Sequence, residues 1–171
     1  VVIGDYDDII VHPKKGRKEQ ELPAEAIIVP NPADATMVVK ILQEHGADER
    51  FLYNSRLFLD RSRTFCIAGP CLGAPAAGLV LEKLIALGVR SITLISCCGA
   101  VDNRLKVGDT VVADNGIVGE GLSAYYGFND RAVPSERILL ELRQLLQRLQ
   151  MPWQEGAIWT TDAPYRESRI R

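Results

Sequence analysis

Thr64-Phe65-Cys66-Ile67-Ala68 runs into Gly69-Pro70-Cys71-Leu72-Gly73-Ala74-Pro75; an apolar stretch from Ala76 to Leu87 then closes at Gly88, and Ser91-Ile92-Thr93-Leu94-Ile95 leads into Ser96-Cys97-Cys98-Gly99-Ala100. A short apolar run bounded by turn residues reads as a buried strand, and a longer run stopped by Gly reads as a helix. Residues 64–95 are therefore expected to form a strand–loop–helix–strand unit with a right-handed crossover, its two strands neighbours in one sheet. Both strands end in loops of small residues. In open α/β sheets the ligand crevice lies at that carboxyl edge, where helix N-termini and unpaired backbone amides converge. A ligand is thus expected between the loops at 70–75 and 96–100.

Upstream, Ala26-Ile27-Ile28-Val29 ending in Pro30 reads as another buried strand. Pro32 suits a first helical turn, Val38, Val39, Ile41 and Leu42 recur at helical spacing, and Gly46 supplies a stop, which makes a first βα unit. Phe51–Leu59 and Thr64–Ala68 flank the polar turn Asp60-Arg61-Ser62-Arg63 and suggest a hairpin. Downstream, Leu105-Lys106-Val107-Gly108-Asp109 turns into a strand at Thr110–Ala113, and Gly116–Gly127 reads as a Gly- and Tyr-rich loop of the kind that often binds ligands. Ser135 caps an amphipathic helix through Leu149, whose leucines are core residues. Trp153–Trp159 is the last strand, and residues 160–167 form a polar loop.

The 171 residues suit one compact domain, 1–171. Apolar residues at 47% and charged residues at 25% describe a chain that folds, and 20 Lys and Arg against 22 Asp and Glu leave a formal charge of −2. That balance gives no electrostatic pull toward nucleic acid or an anionic membrane, so a small-molecule partner is expected. Lys14-Lys15-Gly16-Arg17-Lys18 is followed by Glu19 and Glu21 and reads as a solvated loop. Val1-Val2-Ile3-Gly4-Asp5 lacks the basic leader and long apolar run of a secretory signal, and no apolar stretch reaches membrane-spanning length, which points to the cytoplasm. Cys66, Cys71, Cys97 and Cys98 show no C-x-x-C and stand far in sequence from His12 and His45. They read as small buried apolar residues of a reducing compartment, or at Cys97-Cys98 as a redox pair, and no metal is expected.

Four segments, taken in order, resemble the signature of the nucleoside phosphorylase family and especially its uridine phosphorylase-like branch. They are Gly73-Ala74-Pro75-Ala76 with Glu82; Cys98-Gly99-Ala100 with Val107-Gly108-Asp109; Glu120-Gly121-Leu122-Ser123 with Tyr126; and Trp159-Thr160-Thr161-Asp162-Ala163-Pro164-Tyr165-Arg166-Glu167. The resemblance implies an α/β, three-layer phosphorylase-like fold with a central mixed β-sheet flanked by helices. The family's Met-Glu ribose-binding motif and later-strand Asp have no counterpart through Arg171, so the expected fold lacks the family's C-terminal part.

The implied activity is a pentosyl transfer of nucleotide salvage: cleavage of the N-glycosidic bond of a purine or pyrimidine nucleoside, with phosphate as co-substrate and no cofactor. The implied partners are nucleoside and phosphate in a homo-oligomer, a dimer or a trimer of dimers. An oxocarbenium-like sugar must be stabilised while the base leaves, so anions near the ribose and hydrogen bonds to the base lower the barrier. Carried over by position, Arg56, Gly73 and Cys97 are phosphate-binding candidates. Arg56 matches the Arg that the family lends across a dimer interface to a neighbour's phosphate. Cys98, Gly99, Glu120, Ser123, Tyr165 and Arg166 are nucleoside-binding candidates, Tyr125 or Tyr126 is placed to cover the base or sugar, and no catalytic residue is assigned. Tyr165 offers a stacking face, and Arg166 offers donors for a carbonyl or ring nitrogen.

Three departures bear on the chemistry. Cys97 and Cys98 stand where the family has threonines, and thiols are weak donors. Leu94 stands where uridine phosphorylases place a phosphate-binding Arg. Within Pro30-Asn31-Pro32-Ala33-Asp34, which resembles the family's Gly-Asp-Pro-Asp-Arg loop at Pro32, Asp34 takes the Arg position. Losing phosphate cations while keeping the nucleoside loops is what a hydrolytic nucleosidase would look like, and a non-catalytic nucleoside-binding protein is the remaining alternative. A dinucleotide-binding domain is disfavoured, because Gly69, Gly73 and Gly78 lack the G-x-G-x-x-G intervals.

Overall fold

The computed structural model describes residues 9–53 and 55–167, so the reading of Val1–Asp5 lies outside the described residues. The chain divides into two compact units at Cys98/Gly99. In the first, β1 (Glu25–Ile28), β2 (Asp48–Leu52), β3 (Ser55–Leu59), β4 (Phe65–Gly69) and β5 (Ser91–Leu94) form a mixed sheet in the order β2-β3-β4-β1-β5. β1 runs parallel to both β4 and β5, while β2, β3 and β4 form an antiparallel meander. β1 therefore separates β4 from β5, and the expectation that the 64–68 and 91–95 strands are neighbours is corrected. β1 carries a near-continuous apolar run, with Ala26 and Ile28 buried and Ile27 half-buried, as suits the centre of a parallel set.

Side-chain alternation assigns the two faces. Ala26, Ile28, Leu57, Leu59, Cys66 and Ala68 share one face and cluster with Val80, Leu84 and Leu87 of the segment led by α2 (Ala74–Ala86). Phe58 and Ile67 point the other way, to a small 10 Å³ crevice that they line with Ala35, Val38 and Val39 of α1 (Pro32–Glu44). Helix, sheet and helix thus make three layers, as expected. α1 begins as its sequence predicts: Asn31 is the N-cap and accepts from the Ala33 amide at 2.8 Å, Pro32 opens the helix, and Gly46 leaves it at φ 73°. α2 starts two residues before the expected Ala76, because Pro75 falls in the first turn, where its missing N–H costs nothing. The stretch 51–59 is not one strand. β2 and β3 are the arms of their own hairpin, so the β3–β4 hairpin expected from residues 51–68 is one half of a larger meander.

The second unit holds β6 (Val111–Gly119), β7 (Arg131–Ala132), α3 (Glu136–Arg148) and β8 (Gln154–Thr161), with β6 parallel to β8 and antiparallel to β7. Residues 116–119, expected in a loop, extend β6 instead. Pairing with β8 on one side and β7 on the other satisfies their backbone groups, and tertiary pairing overrides weak local propensity. The same pairing carries β8 past Trp159 to Thr161 and starts it at Gln154 rather than Trp153. Arg143 on α3 donates to both Glu155 carboxylate oxygens on β8 at 2.7 Å each, tying helix to sheet. Ser135 occupies the α3 N-cap position but makes no side-chain cap bond. Among the described residues no helix is long and apolar enough to cross a membrane.

Candidate functional site

In the first unit, β4, β1 and β5 are parallel and end at Gly69, Ile28 and Leu94, so the segments that follow all emerge at one sheet edge. The segment after β4 crosses to α2 with its first amide bonded to the segment after β1, Cys71 N–H to Pro30 O at 3.0 Å. Gly73 is the N-cap of α2 at φ 87° and ψ 152°, with no side chain capping the helix. A Cβ there would meet nothing within 4 Å, so the position needs Gly for its backbone conformation and not for space. Unpaired amides at a helix start form an electropositive end suited to an anion.

Arg56 stands on β3 in register with Gly69, hence beside that same edge. It shares the α1 face with Phe58, whose ring lies 5.0 Å below its guanidinium carbon. Its Nε donates to Glu49 Oε1 at 2.7 Å, and this bond holds the Glu49 carboxyl below its ordinary range. The Arg56 side chain remains 43% exposed. Its cross-strand partner Phe51 is 84% exposed, so an apolar ring stands open next to the cation.

Asp34 lies in the first turn of α1, where its amide is the second donor to Asn31 Oδ1, at 3.5 Å. Its Oδ2 is shut off from solvent and has no hydrogen-bond partner. A buried carboxylate oxygen left without a donor costs on the order of 1–3 kcal/mol or more. The Asp34 charge, with a hydrogen bond to it, pushes the Cys97 thiol above its ordinary value, which puts Cys97 beside the start of α1. Cys97 and Cys98 are exposed, which corrects their reading as buried apolar residues: β5 ends at Leu94, and the chain has left the sheet before reaching them. Cys66 and Cys71 are buried as expected, and burial raises the Cys66 thiol to about 11. Leu94, in register with Ile28, points to the α2 face and is 55% exposed.

The remaining candidates belong to the second unit. β6 and β8 end at Gly119 and Thr161, which are in register, so the loops after them share an edge. Asp162 Oδ2 accepts the Gly121 amide at 2.9 Å and pins one loop to the other. Glu120 folds back on its own loop and accepts the Leu122 amide at 2.5 Å and the Ser123 amide at 3.1 Å. Burial alone would raise its carboxyl, but the Ser123 side chain and these two amides outweigh burial and hold it below its ordinary value. Glu120 and Ser123 therefore close a tight turn onto the 3-10 segment Ser123–Tyr126. Tyr165 lies in a second 3-10 turn, Pro164–Arg166, and is 97% exposed; Arg166 and Gly99 are also exposed.

The structure thus gathers Arg56, Gly73, Cys97 and Cys98 toward one edge of the first sheet, and Glu120, Ser123, Tyr165 and Arg166 toward one edge of the second. Sequence reasoning missed Glu49 and Asp162. Their partners lie 7 and 41 residues away, and only strand pairing brings them together. Among the described residues no group of three His, Cys, Asp or Glu side chains is arranged to hold a metal.

The sequence model of the family described as the Phosphorylase superfamily matches residues 25–171. Among curated proteins, a guanosine phosphorylase of Halorubrum lacusprofundi is 34% identical over 106 residues, which cover 61% of this chain and 43% of the relative. Among solved structures, uridine phosphorylase from Vibrio fischeri ES114 superposes with a TM-score of 0.73 at 20% identity, covering 85% of this chain and 61% of that one. A futalosine hydrolase mutant of Helicobacter pylori superposes with a TM-score of 0.70 at 18% identity, covering 90% and 74%. The chain therefore spans less than half of the curated relative's length and about three-fifths of the uridine phosphorylase's.

Proposed function

This chain belongs to the phosphorylase superfamily, and on that premise we propose that it cleaves the N-glycosidic bond of a purine or pyrimidine nucleoside with phosphate as acceptor. The observation that carries the proposal is the register of Arg56 with Gly69. It sets a cation beside the segment that leads to the Gly73-capped start of α2, and a cation plus converging amides is what an oxyanion requires. In this reading Arg56, Gly73 and Cys97 hold phosphate. By position in the family signature, Cys98 of the first unit and, in the second, Gly99, Glu120 and Ser123 are nucleoside-contacting residues, with Tyr165 offering a stacking face and Arg166 a donor. Glu120 acts by fixing its loop, since its oxygens are already engaged by its own backbone. Residues 1–171 then form one domain, a reading supported by the family match, which runs through both units. No cofactor is needed. The exposed Phe51 beside Arg56 supports a homo-oligomer in which Arg56 serves a neighbouring subunit, and the buried thiols of Cys66 and Cys71 suit the cytoplasm.

Hydrolysis is the second reading, and Asp34 favours it. A carboxylate at the start of α1 repels phosphate. Incubating the protein with purine and pyrimidine nucleosides, with and without phosphate, separates the cases by product. Ribose 1-phosphate formed only with phosphate is expected. Free ribose independent of phosphate would establish hydrolysis, and nucleoside bound without product would leave a binding protein.

Because Leu94 and Asp34 stand where cations are expected, phosphate affinity should be weak. Leu94→Arg should tighten it roughly tenfold, since Leu94 is half-exposed on the face that α2 covers and one charge-assisted bond contributes about 1.5–3 kcal/mol. Calorimetric titration of both proteins with phosphate is the check. Tight binding by the unaltered protein would show that the anion is held elsewhere.

A further inference from the structure

We propose that Asp162 is a positioning residue for the nucleoside: by holding the Gly121 amide it fixes the loop that carries Tyr165 and Arg166 against the loop that carries Glu120 and Ser123. The proposal rests on the nucleoside-cleaving reading above. Both loops belong to the second unit and leave β6 and β8 at strand ends that are in register, Gly119 beside Thr161. At that base the strands pack without slack, since a Cβ on Gly119 would collide with the Trp159 ring and the Thr160 carbonyl oxygen. Just past it, Asp162 Oδ2 accepts the Gly121 N–H at 2.9 Å, a bond between residues 41 apart in sequence.

Each loop is closed by its own bonds. Glu120 accepts the Leu122 and Ser123 amides, while Tyr125 N–H donates to Leu122 O and Phe128 N–H to Ser123 O, at 3.0 Å each. In the other loop, Ala163 N–H donates to Thr161 Oγ1 at 3.2 Å and Arg166 N–H to Ala163 O at 2.8 Å. Two loops closed in this way can still swing where each leaves its strand, and Asp162 bridges those two points. Its acceptor is an ionised carboxylate, which makes the bond stronger than one between neutral groups. Tyr165 is 97% exposed, so its ring is placed by its backbone and not by packing. The backbone of Tyr165 and Arg166, three and four residues past Asp162, therefore depends on this bond for its distance from Ser123. Loops ordered before binding spare the complex an ordering penalty.

The test is calorimetric titration of the full chain with inosine, adenosine, uridine and inorganic phosphate, circular dichroism verifying that each variant is folded. Asp162→Ala should weaken whichever nucleoside the unaltered protein binds by roughly tenfold, the size of one bond to a charged group. Phosphate affinity should stay within about twofold, because the phosphate-binding candidates Arg56, Gly73 and Cys97 lie in the first unit. Asp162→Asn keeps a carbonyl oxygen for the Gly121 N–H and should recover nucleoside affinity to within about threefold. Gly121→Ala is the control on the donor side: it keeps the N–H, its Cβ would lie 3.7 Å from Asp162 Oδ2 in ordinary contact, and affinity should not change. Unchanged nucleoside affinity in folded Asp162→Ala would overturn the positioning role and leave nucleoside cleavage standing. An equal fall in nucleoside and phosphate affinity, or no recovery in Asp162→Asn, would overturn it as well. If the unaltered protein binds none of the nucleosides, the nucleoside reading falls, and the positioning role falls with it.

Discussion

Gly69→Ala should destabilise the first unit by about 3 kcal/mol or more, with a matching fall in the midpoint of urea unfolding. A Cβ at Gly69 would land on the Val29 backbone carbonyl oxygen, well inside van der Waals contact, with the Val29 carbonyl carbon next nearest. Overpacking against a flexible side chain typically costs about 1–3 kcal/mol, because the side chain moves aside. Here the obstacle is backbone, held by the Val29 amide bond to Ala68 O at 2.9 Å and by the β1–β4 ladder. Relief requires the strands to separate at the edge where Arg56 and α2 are positioned, so anion affinity should fall together with stability. Gly73→Ala is the matched comparison. It meets no atom within 4 Å and bears only the conformational penalty of φ 87° with ψ 152°, about 1–3 kcal/mol. A Gly69→Ala protein as stable as Gly73→Ala would refute the close approach of β1 and β4.

Arg56→Ala should weaken phosphate binding about 100-fold while changing stability by less than about 1 kcal/mol. The loss expected on binding is that of a charge-assisted, two-pronged contact, near 2–3 kcal/mol. The small stability change follows from what Arg56 does in the folded chain: it joins a half-exposed pair with Glu49, worth at most about 1 kcal/mol, and lies over the Phe58 ring, a contact of similar size when exposed. Glu49→Gln provides the opposite arm, because releasing the guanidinium from its carboxylate should strengthen phosphate binding. Sedimentation reports the assembly, and mixing Arg56→Ala subunits with subunits disabled by Leu94→Asp tests whether the residue serves a neighbour. Recovery of affinity in the mixture is expected. A monomer that binds phosphate with full affinity after loss of Arg56 would exclude the shared site.

The candidate site was unevenly legible in the sequence. The local pattern placed the small-residue loops at 70–75 and 96–100 at strand ends, and the resemblance to the phosphorylase signature then named Gly73, Cys97, Cys98, Glu120, Tyr165 and Arg166 by position. What each side chain does was not legible. Glu120 looks like a group aimed at a ligand, yet its oxygens close its own turn, since amides two and three residues on are nearer than any partner outside the loop. Cys97 and Cys98 have the composition of core residues, yet they stand in the open because β5 stops at Leu94.

Composition, strand-length apolar runs and helix punctuation determined that this chain is α/β and that α1 opens at Asn31-Pro32 and stops near Gly46. Those features depend on side-chain burial and backbone conformation within a few residues, and both are encoded locally. Strand order, the extension of β6 through Gly119, the Arg56–Glu49 and Gly121–Asp162 contacts and the enclosure of Asp34 Oδ2 were decided only by tertiary structure. Each depends on backbone ladders between residues distant in sequence, and a ladder is chosen by the competition of whole strands for partners, which no single stretch records.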